Sequence, residues 1–249
     1  LKLPEPFARN EFKLEHITNK SSEDREHVLK QIKKANYGFY PTHEVGKFTI
    51  SYNLWGGAQW PGASIDPDKN ILYVTAHDLP TKFKVFSSFD INKNLELKNN
   101  LLDIGKNNKL DDLEGYPGIT PPWGSLTALN LNSGKILWQV PLGYFEELKK
   151  RGMKDTGTAN FGGATATAGN LVFVGGTLDK LIRAFDTQTG EELWSHKLPY
   201  IGSAPPTVYA VNGEQFIIIP ATGGMSLARI YPDLVEQGDA FVAFKLKKD

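Results

Sequence analysis

Ala128-Leu-Asn-Leu-Asn-Ser-Gly-Lys-Ile-Leu-Trp138 and Ala184-Phe-Asp-Thr-Gln-Thr-Gly-Glu-Glu-Leu-Trp194 are two copies of one pattern. Ala128 matches Ala184, Gly134 matches Gly190 and Trp138 matches Trp194, all at the same spacing. A repeat on this scale marks a propeller or a solenoid. In each copy a short strand carries a small alanine inward, Asn130 or Asp186 opens a turn, and glycine supplies the positive φ. The following strand presents a tryptophan that can lie across the neighbouring turn.

Working outward, more strands surround each copy. Gly163-Ala-Thr-Ala-Thr-Ala168 suits an inner strand, where small side chains tolerate crowding near an axis. Leu171–Val174 is β-branched and aromatic, and Leu181–Phe185 with Glu192–Lys197 completes a four-stranded unit. The preceding unit takes Ala63–Ile65, Ile71–Val74, Leu126–Leu131 and Ile136–Val140. A third offers Thr207–Ala210, Phe216–Ile219 and Ala240–Leu246, with no fourth strand. Phe48–Tyr52 reads as an outermost strand of a unit further upstream. The expected fold is all-β: an incomplete propeller over 48–249, with about two complete blades and three strands of another. Closure takes roughly four to eight blades, so this chain cannot close a ring alone.

Two segments escape the repeat. Residues 1–47 form an N-terminal extension with one short amphipathic helix at about 22–37. Ser21 and Ser22 start it, Val28, Leu29, Ile32 and Ala35 follow helical spacing, and Gly38 ends it. An insertion at about 81–120 carries no clear period between 91 and 115, and a loop of that length is either functional or poorly ordered. Within it, Asp111, Asp112 and Glu114 read as a solvated acidic turn rather than a calcium cluster.

Composition narrows the function. Lys plus Arg and Asp plus Glu are 28 each, so the net charge is zero. That argues against nucleic-acid binding, which rests on a surplus of cations facing phosphates. Hydrophobic residues at 40% suit a packed globular protein. The absence of cysteine removes disulfides, thiolate zinc sites, cysteine nucleophiles and covalent c-type haem. No charged-then-apolar leader opens the chain, so a signal peptide is expected to be absent or already removed. His16, His27, His43, His77 and His196 share no metal-ligand spacing. The glycine pairs precede no Gly-Lys-Ser/Thr, and neither Ser125 nor Ser203 sits in a nucleophile elbow.

Several longer stretches carry a resemblance. Trp55-Gly-Gly-Ala-Gln-Trp60-Pro-Gly-Ala63, Pro121-Pro-Trp-Gly-Ser-Leu-Thr-Ala128 and Asn160-Phe-Gly-Gly-Ala-Thr-Ala-Thr-Ala-Gly169 stand in one order. Together with Arg183–Asp186 and Gly213–Phe216, they resemble the C-terminal blades of the pyrroloquinoline quinone (PQQ) dehydrogenases, in the glucose-dehydrogenase-like branch. The likeness runs from about Pro6 to the end. It implies the last blades of an eight-bladed quinoprotein propeller built of four-stranded sheets, with PQQ and calcium near the axis. In the family the carboxylate base, the lysine that polarises the quinone and the calcium ligands lie upstream of the matching segment. His77-Asp-Leu-Pro80 superficially resembles the family's His-Asp-Leu-Trp-Asp motif. It follows the Ile71–Ala76 strand, the wrong place, and lacks the Trp-Asp ending, so the match is rejected.

The resemblance implies a partial cofactor site and no catalytic residue in this chain. Asn160 holds the position whose side-chain amide contacts the quinone. Gln59 stands where the family has Asn or Asp, its extra methylene carrying the amide outward, and Trp60 lines the pocket. Some members of the branch carry a cytochrome c domain at the position of 81–120. Here the segment is short and cysteine-free, so the electron acceptor is expected to be external, a quinone or a separate cytochrome. The implied protein is a periplasmic PQQ-dependent sugar or alcohol dehydrogenase whose C-terminal part is inactive alone. Its open edges are to be covered by the remaining blades or by self-association. The competing expectation is a non-catalytic propeller module of PQQ-like repeats that binds proteins, since fold alone does not establish function.

Overall fold

The computed structural model describes residues 3–52, 54, 56–87 and 108–246. The chain divides into two compact units. One combines residues 1–8, 58–77 and 124–249; the other combines 9–57 and 78–123.

The first unit holds three antiparallel sheets. Strands β2 (Ser64–Asp66), β3 (Ile71–His77), β5 (Gly124–Asn130) and β6 (Lys135–Pro141) lie side by side in that order. Strands β7 (Ala164–Ala166), β8 (Leu171–Val174), β9 (Leu181–Asp186) and β10 (Glu192–Lys197) form the second meander. The third has β11 (Thr207–Val211), β12 (Glu214–Ala221) and β13 (Ala240–Lys245). These are the strand sets that the repeat predicts.

The two copies of the repeat match in register. Ala128 pairs with Trp138 and Ala184 with Trp194, and the ladder slips by one residue beside each tryptophan. The extra residues, Leu137 and Leu193, are half exposed at 50% and 52%, which marks the same bulge in both copies. Asn130 Oδ1 accepts from the backbone N–H groups of Asn132 and Ser133. Asp186 Oδ1 does the same for Gln188 and Thr189, and Gly134 and Gly190 follow at φ +70° and +73°. Each turn is therefore an Asx turn closed by a left-handed glycine.

The copies differ in what their tryptophans meet. Trp138 donates from Nε1 to the Thr187 carbonyl at 3.0 Å and lies over Gly190, where a Cβ would come within 2.7 Å of its ring. It closes an apolar layer between the first two sheets that includes Tyr73, Leu126, Val172, Val174 and Phe185. Trp194 makes only ring contacts, stacking on His196 and meeting Phe244 edge-on, and no carbonyl receives its N–H among the described residues.

The second unit departs from expectation in three places. Helix α1 spans Ser22–Ile32 rather than 22–37, capped by Ser21 Oγ accepting from the Asp24 N–H at 3.0 Å. It stops early because the backbone of Asn36 is captured by a strand. Asn36 donates to the Phe48 carbonyl and accepts from the Ile50 N–H, both at 2.8 Å, so Gly38 is not the terminator. That strand, β1 (Phe48–Tyr52), is not the edge of an upstream blade. It pairs antiparallel with β4 (Pro80–Lys84), from Phe48↔Lys84 to Tyr52↔Pro80. The aperiodic stretch that follows had hidden β4.

The acidic turn is also corrected. Asp112 is buried, its Oδ1 accepting from the Glu114 and Tyr116 N–H groups and its Oδ2 lying 2.7 Å from Lys20 Nζ. Lys20 also pairs with Asp24 and Glu114. Burial pushes Asp111 up to about 6. The counter-ion is distant in sequence, so a local reading takes these carboxylates for solvated. Residues 88–107 of the expected insertion and Trp55 lie outside the described residues. Elsewhere, among the described residues, two further short α-helices, α2 (Glu146–Lys150) and α3 (Met225–Ile230), add to the single one expected.

The unequal settings of the two tryptophans give a direct comparison. Trp138→Ala removes a partly buried hydrogen bond and an interlayer filler and should cost about 3 kcal/mol, while Trp194→Ala should cost about 1 kcal/mol. Urea unfolding of both variants beside the wild type checks the order; equal losses would contradict it.

Candidate functional site

The inner end of β3 sets the site. Residues 71, 73, 75 and 77 share one face of this strand by its two-residue period. Three of them reach a backbone carbonyl of the next repeat. Tyr73 Oη donates to Thr187 O at 3.3 Å, Thr75 Oγ1 to Gly162 O at 2.8 Å, and His77 Nδ1 to Asn160 O at 2.9 Å. All three side chains are buried, so each bond forms where water cannot replace it.

Asn160 sits just before β7, in an isolated bridge with Thr177. It is completely buried. Its Nδ2 donates to the Ala76 carbonyl at 2.8 Å, so the end of β3 grips it twice, at the side chain through Ala76 and at the main chain through His77. The amide cannot be turned over, because Oδ1 would then face the Ala76 oxygen. Held this way, Oδ1 has no hydrogen-bond partner among the described residues. Gly124, opposite His77 on β5, leaves the necessary space. A Cβ there would fall 1.9 Å from Thr158 O and 3.1 Å from Asn160 Nδ2.

His77 is 1% exposed, and burial pushes its imidazole down to about 4, so it is neutral at ordinary pH. A carbonyl oxygen can only accept, so the proton sits on Nδ1 and Nε2 carries the lone pair. Gln59 Nε2 lies 3.4 Å from that nitrogen and donates to it. The Gln59 side-chain amide and the Asn160 main-chain carbonyl thus meet the two nitrogens of one ring. The two residues also correspond by register. Ser64 faces Tyr73 and Thr165 faces Phe173, with Ala128 and Ala184 across from those rings. Gln59 and Asn160 each precede their partner by the same number of residues. The next residues are Trp60 and Phe161. Phe161 is buried against His77 at 5.1 Å between ring centroids, whereas Trp60 is 85% exposed.

Behind Asn160 the Thr177 side of the bridge is pinned by a buried ion pair. Arg183 binds Asp179 and donates to Thr177 Oγ1 at 3.1 Å, and Thr177 donates to Asp179 at 2.6 Å. Of the residues singled out in the sequence, Gln59 and Asn160 are thus brought to one imidazole and Trp60 stands at the surface. His77 is the residue that sequence reading missed. Its signal was its place as the fourth member of the Ile71, Tyr73, Thr75 face, a polar ring ending a buried row.

Comparison with known proteins extends the geometry. Residues 2–217 match the PQQ family model, the β-propeller domain of glucose/ethanol/alcohol dehydrogenases. The chain belongs to this family. Among curated relatives, a probable quinate dehydrogenase (quinone) of Xanthomonas campestris pv. juglandis is 32% identical over 213 residues, covering 77% of this chain and 26% of the relative. The quinoprotein glucose dehydrogenase of Escherichia coli (strain K12) is 29% identical over 231 residues, covering 85% and 28% respectively. The chain therefore spans about a quarter of the length of the relatives it matches. Among solved structures, a europium-containing methanol dehydrogenase aligns with TM-score 0.57 at 16% identity, over 82% of this chain and 36% of its own. A quinohemoprotein alcohol dehydrogenase from Pseudomonas putida aligns with TM-score 0.51 at 22% identity, over 82% and 28%. These two alignments support the propeller fold, here a part of one: no sheet closes on itself among the described residues.

The buried imidazole makes stability depend on pH with a definite sign. His77 binds a proton near pH 6.5 when unfolded and only near pH 4 when folded, so its contribution is intact above about 6.5 and is lost as pH falls toward 4. The full loss is about 3 kcal/mol. Asp111, raised on folding, works in the opposite direction over part of this range. Comparing wild type with His77→Asn isolates the histidine. Between about pH 7 and about pH 4.5, urea unfolding of the wild type should lose about 2 kcal/mol more than the variant; parallel curves would contradict the assignment.

Proposed function

We propose that this chain is the C-terminal part of a periplasmic PQQ-dependent dehydrogenase that oxidises a hydroxyl group of a sugar or alcohol and delivers the electrons to an external acceptor, a quinone or a cytochrome. Family membership supports the reading, and one observation carries it to a specific atom: the fully buried Oδ1 of Asn160, without a hydrogen-bond partner among the described residues. A buried acceptor left without a donor costs about 1–3 kcal/mol. A bound group that supplies a donor there recovers that loss, so the residues present fit the cofactor at this point. PQQ, when bound, supplies the two-electron chemistry.

The chain's own residues hold and orient. Asn160 offers an acceptor in one fixed orientation, because Ala76 takes its N–H. Gln59 has its amide nitrogen turned onto His77 and forms the corresponding position of the preceding blade. Trp60 contributes an exposed aromatic face suited to lie against a planar ring. The carboxylate base, the polarising lysine and the calcium ligands are assigned to sequence outside this chain. The exposed edges are assigned to contact with the remaining blades or with a second copy.

Two measurements on the purified chain test the proposal. Calorimetric titration with PQQ should give saturable binding that Asn160→Ala weakens about tenfold, the effect of one lost hydrogen bond. A dye-linked assay with glucose, PQQ and calcium should give no turnover. Absence of binding would favour the non-catalytic, protein-binding module, and turnover at an ordinary enzyme rate would contradict the division of the site.

A further inference from the structure

We propose that His77 is a positioning residue for the quinone cofactor: its Nδ1–H holds the Asn160 main chain while its Nε2 accepts from Gln59, so one neutral ring ties the Asn160 main chain to the Gln59 side chain and keeps Asn160 Oδ1 directed at the ligand. This rests on the PQQ reading for the identity of the ligand, but the locking itself belongs to the chain.

Four observations converge on the ring. It is buried at 1% exposure, and each nitrogen has a defined partner, at 2.9 Å to Asn160 O and 3.4 Å to Gln59 Nε2. Its face is packed against Phe161. The residue before it, Ala76, takes the Asn160 side-chain N–H at 2.8 Å. A hydrogen bond from Nδ1–H to the Asn160 carbonyl would serve packing equally well with any group, or none, at Nε2. The second nitrogen, occupied by an amide of the preceding blade, is the feature that a purely structural histidine does not need. Loss of the imidazole frees the Asn160 carbonyl and lets the 160–162 segment shift against β3. That moves Oδ1 without touching its own hydrogen-bonding atoms.

The rest of the β3 row provides the control. Tyr73→Phe removes an equivalent bond, to Thr187 O, and touches neither amide. His77→Phe removes both bonds and keeps a ring against Phe161; His77→Asn restores a donor on the Nδ1 side. The first readout needs no cofactor. In nitrogen-15 spectra of the wild-type chain, His77 should carry its proton on Nδ1 with Nε2 unprotonated, and the Asn160 side-chain amide protons should be protected from exchange. His77→Phe should speed that exchange about tenfold or more, His77→Asn should return it to within about threefold of wild type, and Tyr73→Phe should leave it unchanged.

The second readout is the calorimetric affinity for PQQ, expected to fall about tenfold in His77→Phe, to recover in His77→Asn and to hold in Tyr73→Phe. A proton on Nε2, or an Asn160 amide indifferent to His77→Phe, would overturn the locking. Equal losses of PQQ affinity in His77→Phe and Tyr73→Phe would reduce His77 to ordinary packing and overturn the positioning role. A wild-type chain that bound no PQQ, with the exchange pattern as expected, would refute the cofactor reading while supporting the lock.

Discussion

The structure depends on a row of three hydrogen bonds. Tyr73, Thr75 and His77, on one face of β3, each donate to a carbonyl of the following repeat. Apolar packing between two sheets is non-directional and would tolerate small slides. Donors aimed at fixed carbonyls in a buried layer do not, because a slide would leave buried polar groups unmet. The row therefore sets the register between the first two blades, and the apolar layer around Val172 and Phe185 fills in behind it. Trp138 adds a fourth donor at the outer end of the same seam, also to Thr187.

Much of this was legible because the repeat is written in residues with strict local demands. Asn130 and Gly134, like Asp186 and Gly190, are chosen by turn chemistry that a single sequence exposes. Small residues at 163–168 and branched ones at 171–174 follow from crowding and from strand preference. The strand sets and their order came from that vocabulary. What failed was pairing at a distance. Asn36 leaves its helix because β1 offers it a ladder, and β1 finds β4 across an aperiodic stretch. Asp112 is neutralised by Lys20, far away along the chain. No window of sequence contains both partners.

The site divides along the same line. Asn160 and Gln59 were found because whole motifs surround them, and the shared ring between them was not, because His77 belongs to neither motif. Only the sheet reveals that the Asn160 main chain and the Gln59 side chain share one ring. The contrast between Phe161 and Trp60 is instructive in the same way. They occupy corresponding positions after the two amides, yet Phe161 has a preceding blade to pack on and Trp60 has none among the described residues. Identical roles in a repeat become different environments once the neighbours differ.

The paired tryptophans carry the same contrast. Trp138 is clamped across a turn, while Trp194 borders a cavity of about 650 Å³ between the second and third sheets, beside Phe173, Ile217 and Phe244. Two indoles at equivalent positions of the repeat thus sit in one tight and one roomy setting. Whatever comes to occupy the roomy one meets the Trp194 indole and leaves that of Trp138 untouched.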